Sequence, residues 1–227
     1  MTQAAGVLVV HSAELLLQRA DRLAAVDVDV EAGSESAAFI ASVWAAFGEV
    51  RATLDTECNV SCDNPLLFEV GAEYEAVMGC NCSNTQVGYD LDLLCVLLAE
   101  RAALIVGHQI AGARGSAAAQ IRDRAAQVMQ RLSDAALPAS ADSLPTKSGQ
   151  EDHVEFSYGA ARKTYESVQL FRDLLALAEV ARGDSGGELR GASLRGAISA
   201  RAELVSAECA VIPFQVRLRE TFGAELS

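Results

Sequence analysis

The residues best suited to chemistry lie in one polar stretch, between Pro138 and Lys163. It places Glu151, Asp152 and His153 directly after a loop rich in proline and small polar residues. A carboxylate such as Glu151 can exchange a proton with a bound amine when burial moves its pKa towards the working pH. The alternative is structural, because an acidic residue in the first turn of a helix is stabilised by the helix dipole. The pattern alone leaves both interpretations of Glu151 open.

Two further polar loops precede this stretch, at 59–65 and 79–85. Asn64 lies in an Asp-Asn-Pro turn of the first, and Cys82 lies in the second. For Asn64 the alternative role is an Asx turn, in which the side chain bonds nearby backbone. For His153 the alternative is a hydrogen bond that joins the loop to the following helix. These residues are candidates for substrate contact, with a structural alternative beside each.

Six cysteines raise the question of metal or disulfides. The close pairs are Cys58 with Cys62 and Cys80 with Cys82, and neither pair has the C-x2-C spacing of a zinc site. The three histidines are far apart in the sequence. We therefore expect reduced, buried or incidental thiols and no metal site.

The elements that must position these residues are helices. Hydrophobic residues make up 51% of the 227-residue chain but aromatics only 5%, and there are four prolines. Helical spacing of apolar residues predicts a single all-α domain over 1–227, a bundle of about six helices with long central ones and no strand. The predicted helix over 87–110 is apolar on most sides, so we expect it in the middle of the bundle or at a subunit interface. The predicted helices cover 12–30, 37–54, 87–110, 116–137, 154–181 and 194–209.

Composition excludes several classes of function. The net charge is −13, which would repel a phosphate backbone or an anionic membrane surface. No stretch of about 18 uncharged apolar residues is present to span a bilayer, and the first residues lack the basic region of a signal peptide. We expect a cytoplasmic protein that binds neither nucleic acid nor membrane.

Together the three loops resemble a known family. The motifs are S-x-D-N-P-L at 61–66, G-C-N at 79–81, P-x-S-x-D-S-x-P-T at 138–146 and Q-E-D-H-V at 150–154, followed by G-A-A-R at 159–162. Their order and separation are similar to the C-terminal half of the histidine ammonia-lyases and the related aromatic amino-acid lyases and aminomutases. The resemblance covers about 12–182 and is strongest over 59–182.

This resemblance implies roles for particular residues. Family members are all-α tetramers whose active sites combine several subunits around an electrophilic methylidene-imidazolone, formed from an internal Ala-Ser-Gly. By position, Glu151 matches the carboxylate that acts on the substrate amino group or ring, and Asn64 matches an asparagine beside substrate and cofactor. Cys82 falls where the family has a substrate-facing phenylalanine. His153, two residues after Glu151, is expected to bind substrate as well.

The departures from the family pattern concern the cofactor. The 227 residues contain no Ala-Ser-Gly, and the segment that supplies a catalytic tyrosine and a carboxylate-binding arginine, expected between Gly33 and Trp44, is missing. We therefore expect no cofactor of the chain's own, and an oligomer in which a second lyase-like subunit carries the methylidene-imidazolone and completes a site for an amino-acid-type substrate. One alternative is a non-catalytic scaffold or regulatory subunit. The other is an independent enzyme that uses the family-like pocket for chemistry without the methylidene-imidazolone.

Overall fold

A computed structural model of the protein describes residues 2–27, 34–61, 65–78, 83–149, 151–185 and 193–209. Helices account for most of these residues, which confirms the all-α prediction. The described α-helices are α1 (Thr2–Asp27), α2 (Glu35–Asn59), α3 (Thr85–Ile105), α4 (Ala118–Ala135), α5 (Ser157–Ser185) and α6 (Leu194–Glu208).

The centre of the bundle is formed by α3 and α5. Helix α5 packs against α1, α3, α4 and α6, and α3 also packs against α1, α2 and α4. Both helices bury residues on most sides, as expected for α3 from its apolar sequence, and each has fully buried leucines such as Leu94 and Leu174. Long central helices that are buried all round give the loops at their ends a rigid support.

Several helix boundaries differ from the prediction. Helix α1 begins at Thr2 rather than at residue 12, because Thr2, Val9 and Val10 continue its buried face towards the N-terminus. Helix α5 begins at Ser157 rather than at residue 154 and continues past Gly183 to Ser185. Helix α3 ends at Ile105 and passes into a π-helical turn over Val106–Ile110. The last turn of this predicted helix is therefore a wider π-helical turn rather than an α-helical one.

Two β-hairpins correct the prediction that the chain has no strand. Strand β1 (Leu66–Val70) pairs with β2 (Glu73–Val77), and β3 (Leu144–Thr146) pairs with β4 (Glu151–Val154). Each strand has five residues or fewer, and most of the described side chains on them are exposed. Apolar and polar residues alternate along a strand only when one of its faces is buried. The strands of these two hairpins are mostly exposed, so the sequence shows no such alternation.

Two helices, α2 and the stretch Thr85–Ile110, are long and apolar enough to cross a membrane by length and composition alone. Half of the apolar window in Thr85–Ile110 is buried inside the bundle. The core helix of a folded bundle has the same composition, so this observation is weak evidence for a span.

Candidate functional site

The segments that flank all three polar loops lie at one end of the bundle. Gln3 Nε2 donates a hydrogen bond to the carbonyl of Glu57, near the end of α2, at 2.9 Å. At the beginning of α5, the Ser157 hydroxyl donates to that of Thr2 at 3.3 Å. The start of α1 therefore sits between the end of α2 and the start of α5.

Glu155 joins the second polar loop to the third. Its Oε1 accepts from the backbone NH and the side-chain Nδ2 of Asn84, at 3.4 and 3.3 Å, and its Oε2 accepts from the NH of Ser157 at 3.3 Å. Asn84 immediately precedes α3, and Ser157 is the first residue of α5. One carboxylate thus satisfies donors at the N-termini of both central helices and fixes the two loops side by side.

Asp92 anchors the start of the third loop on α3. Its carboxylate accepts from the NH groups of Ala139 and Ser140, at 3.0 and 2.8 Å, and from Lys163 Nζ at 2.5 Å. Lys163 also donates to the carbonyl of Leu137. The Asp92 side chain is only 7% exposed and that of Lys163 17%, so this is a buried, multiply hydrogen-bonded ion pair.

The electrostatics of Asp92 follow from these contacts. Burial alone would raise the pKa of this carboxyl group, but the hydrogen bond from Lys163 and those from Ser140 and Ala139 outweigh burial and lower the pKa. Asp92 is therefore held as a carboxylate and serves to position the loop.

Helix α3 approaches this loop closely at Gly88. A Cβ atom at Gly88 would lie 3.1 Å from Cα and Cβ of Ser157 and 3.2 Å from Oγ of Ser140. The backbone of Ser157 cannot move away without shifting the start of α5. Glycine at this position thus lets the central helices and the third loop meet.

Overpacking at this position is expected to cost about 1–3 kcal/mol, whereas alanine gains about 1 kcal/mol over glycine in a helix. We therefore expect Gly88→Ala to lower the free energy of unfolding. Gly48→Ala is the matched control, because a Cβ there would meet nothing within 4 Å and should only stabilise. Urea unfolding of both variants measures the effect. If Gly88→Ala were as stable as Gly48→Ala, Ser157 and Ser140 could move away from the added methyl group without loss of stability.

The β3–β4 hairpin carries the predicted catalytic residue. Glu151 begins β4, where its backbone is paired with Thr146, and the connecting turn holds Lys147 and Ser148 at φ +49° and +56°. Left-handed backbone is uncommon in residues other than glycine, and consecutive positive φ values suit a tight hairpin turn. At the far end of the hairpin, Ser143 Oγ accepts from the NH of Phe156 at 3.1 Å.

This hairpin overturns one interpretation of Glu151. The residues Gln-Glu-Asp at 150–152 resemble the capped start of a helix, but α5 begins six residues after Glu151. No acidic residue lies in the first turn of α5, and Glu155 bonds the NH of Ser157 there. A helix-dipole role for Glu151 is therefore wrong.

The other predicted site residues are only partly within the described structure. His153 lies on β4, two residues from Glu151, and is exposed. Asn64 and Cys82, like the side chain of Glu151, lie outside the described residues. The described neighbours of all four belong to the same end of the bundle, as the contacts of Asn84 and Ser157 show.

Sequence reasoning missed the residues that hold this end together. The sequence motifs single out neither Asp92 nor Glu155. The available signals were an aspartate in a helix otherwise buried on most sides, and Lys163 as one of two lysines in the chain. Neither signal identifies the partner, which lies 71 residues away in the sequence.

The structure describes three of the six cysteines. Cys58, Cys95 and Cys209 are free, and burial raises the pKa of the last two. Within the described ranges, no group of three or more His, Cys, Asp or Glu side chains is placed to hold a metal ion. The other three cysteines lie outside those ranges.

We call the end of the bundle at Asn84 and Ser157, where α3 and α5 begin, the loop end. The fold and the loop end define the class of protein: a helical bundle that carries polar loops on the N-termini of its central helices. Residues 105–203 match the family described as "Aromatic amino acid lyase". The histidine ammonia-lyase of Shouchella clausii (strain KSM-K16) is 32% identical over 152 residues, which cover 60% of this chain and 30% of that enzyme.

Solved structures share the fold. The tyrosine aminomutase of Streptomyces globisporus superposes with a TM-score of 0.76 at 16% identity, covering 91% of this chain and 60% of that one. The histidine ammonia-lyase of Trypanosoma cruzi gives a TM-score of 0.67 at 19% identity, covering 96% and 56%. At these identities the likeness shows the fold alone.

Residues 105–203 are thus similar to the aromatic amino acid lyases, and the chain has the fold of the ammonia-lyases and aminomutases. The resemblance to this family is thereby confirmed; the family match begins at residue 105, after the first two loop motifs, and reaches residue 203, beyond the expected limit of 182. The matched part spans about 30% of the length of that curated relative and 56–60% of the two solved structures.

Proposed function

We propose that this chain is one subunit of a split ammonia-lyase or aminomutase that acts on an amino acid or amino-acid residue. The observation that carries the proposal is that the described segments beside the three loop motifs lie at one end of the bundle, in a sequence without Ala-Ser-Gly. A partner chain that contains Ala-Ser-Gly would complete the site. The proposed assembly is an oligomer in the cytoplasm.

Exposed apolar side chains at the loop end support a partner. Leu144 and Val154, a cross-strand pair on the β3–β4 hairpin, are 54% and 39% exposed, and Phe156 and Tyr158 are 47% and 39% exposed. The β1–β2 hairpin exposes Leu67 by 65% as well. Clusters of exposed apolar side chains are typical of interaction sites, so the exposed pair on the β3–β4 hairpin and the neighbouring Phe156 suit docking of a second subunit.

The proposed chemistry uses the loop residues as a half-site. Elimination breaks a carbon–nitrogen bond and removes a proton from the adjacent carbon, so a base is needed. Glu151 is proposed as that base or as the ligand of the amino group, with Asn64, Cys82 and His153 against the substrate. The methylidene-imidazolone of the partner would supply an electrophile. The side chain of Asn84 already donates a hydrogen bond to Glu155, so we assign Asn84 to holding the loops in place and not to binding the substrate.

The test is co-purification. The chain is expressed with a tag beside lyase-like genes from its own source, and we expect recovery of a partner that contains Ala-Ser-Gly. The complex should release ammonia from, or isomerise, at least one amino acid in a panel, while the chain alone should not. Turnover by the purified chain alone would instead identify an independent enzyme. Recovery of no lyase-like partner would count against the split enzyme.

The non-catalytic scaffold makes a different prediction for the same complex. It allows the partner to bind but requires that Glu151 be dispensable for turnover. Glu151→Gln distinguishes the scaffold from the split enzyme. The scaffold predicts unchanged turnover, whereas the split enzyme predicts a large loss because glutamine has no carboxylate.

A further inference from the structure

A small cavity, which we call the turn cavity, lies beside the π-helical turn that follows α3. It has about 10 Å³ of space for the centre of a water molecule. One buried water needs roughly that much space, and an organic ligand needs far more. Three helices and the turn contribute to its lining, which includes Ala24 of α1, Ser36 and Ile40 of α2, Arg101 of α3, and His108 and Gln109 of the turn.

Arg101 brings a buried donor to the turn cavity. Its side chain is 1% exposed, and Nη2 donates a hydrogen bond to Asp21 Oδ1 on α1 at 2.9 Å. The other oxygen of Asp21 accepts from Trp44 Nε1 on α2 at 2.7 Å. Within the described part of the chain, Arg101 Nε is buried and has no hydrogen-bond partner. One N–H group of a fully buried guanidinium is thus left unpaired, and buried donors are rarely left so.

Gln109 brings a buried acceptor to the same cavity. It lies in the π-helical turn, where the NH of Ala111 donates to the carbonyl of Val106 at 2.8 Å. Gln109 is 9% exposed, and its Oε1 is buried with no hydrogen-bond partner among the described residues. The turn cavity therefore has an unpaired donor and an unpaired acceptor in its wall, with space for one water molecule beside them.

We propose that the turn cavity binds one ordered water molecule. The water accepts a hydrogen bond from Arg101 Nε and donates one to Gln109 Oε1. Ser36 and His108, whose Oγ and Nε2 atoms lie 3.5 Å apart, line the same cavity and supply further polar partners. A buried water typically makes about three hydrogen bonds, so these partners are sufficient.

The water completes a network that joins three helices. The network runs from Gln109 through the water to Arg101, and from there to Asp21 on α1 and Trp44 on α2. A buried polar network stabilises a fold only when each of its members is satisfied. Arg101 follows Thr85 by 16 residues along α3, a rise of about 24 Å, so this site is separate from the loop end. Its occupancy does not depend on the proposed lyase function.

The test is water-selective NMR spectroscopy on the isotope-labelled full chain. A bound water should give a cross-peak to the Hε proton of Arg101 in both NOE and ROE spectra. The two cross-peaks should have opposite signs, whereas proton exchange with solvent gives the same sign in both. Gln109→Met keeps the length of the side chain but removes the acceptor and places a methyl group against the cavity. We expect it to abolish the cross-peak.

Gln120→Met is the matched control, because Gln120 is exposed on α4. It should leave the cross-peak at the intensity of the wild type. The proposal is overturned if the wild type shows no cross-peak, or if the cross-peak is unchanged in Gln109→Met. If circular dichroism shows that Gln109→Met does not fold, a high-resolution crystal structure of the unaltered chain decides. A single density peak within hydrogen-bond distance of Arg101 Nε and Gln109 Oε1 supports the water, and no peak or density for a larger molecule overturns it.

Discussion

Glu151→Gln is expected to lower kcat of the assembled complex by roughly 10²–10⁴-fold. Glutamine keeps the size of glutamate and can still form hydrogen bonds, but it cannot accept the substrate proton or carry a charge towards an amine. If Glu151 is the base, the loss falls on kcat. If it binds the amino group instead, KM rises as well, so both constants are measured over the same substrate range.

The matched control for this substitution is Glu166→Gln, on the exposed side of α5. It removes one negative charge from the same part of the chain and should leave kcat within about twofold of the wild type. Both variants must co-purify with the partner in wild-type yield. Wild-type turnover in Glu151→Gln would identify the chain as a scaffold, whereas failure of both variants to assemble would locate the effect in the interface.

The helical core could be predicted because its signal is local. The leucines of α3 and α5 recur at helical spacing, and the structure buries them on most sides. The start of α5 could not be placed, because 150–152 looks like an acidic helix start, while the chain forms a β-hairpin there. A turn with Lys147 and Ser148 at positive φ values is unfavourable for these residue types, so local preference gives no sign of it.

The supports of the candidate site could not be predicted for a different reason. Glu155 bonds Asn84 over 71 residues of sequence, and Asp92 bonds Ser140 over 48. Such pairs depend on how α3 and α5 pack, which no single segment encodes. The loop motifs could be found because they resemble a family, and that resemblance indicates residues that are expected to contact substrate rather than those that hold the loops.

Asp92→Asn is expected to lower the free energy of unfolding by roughly 3–5 kcal/mol at pH 7, the usual cost of breaking one side of a buried ion pair. Lys163 would remain charged with no carboxylate beside it, and the NH groups of Ala139 and Ser140 would compete for one amide oxygen. Urea unfolding of the isolated chain measures the loss. Asp123→Asn, an exposed site on α4, is the control and should change stability by no more than about 0.5 kcal/mol.

The dependence of this loss on pH tests its electrostatic origin. The folded-state pKa of Asp92 is lowered, so its stabilisation is complete above the unfolded pKa of about 3.9 and is lost as the pH falls through the folded pKa. The difference between wild type and Asp92→Asn should thus be largest near neutral pH and shrink below about pH 4. Asp90, whose pKa is raised by burial, shifts stability in the opposite direction, but it is present in both proteins and cancels. A difference that stays constant with pH would mean that Asp92 holds the loop by packing and hydrogen-bond shape rather than by its charge.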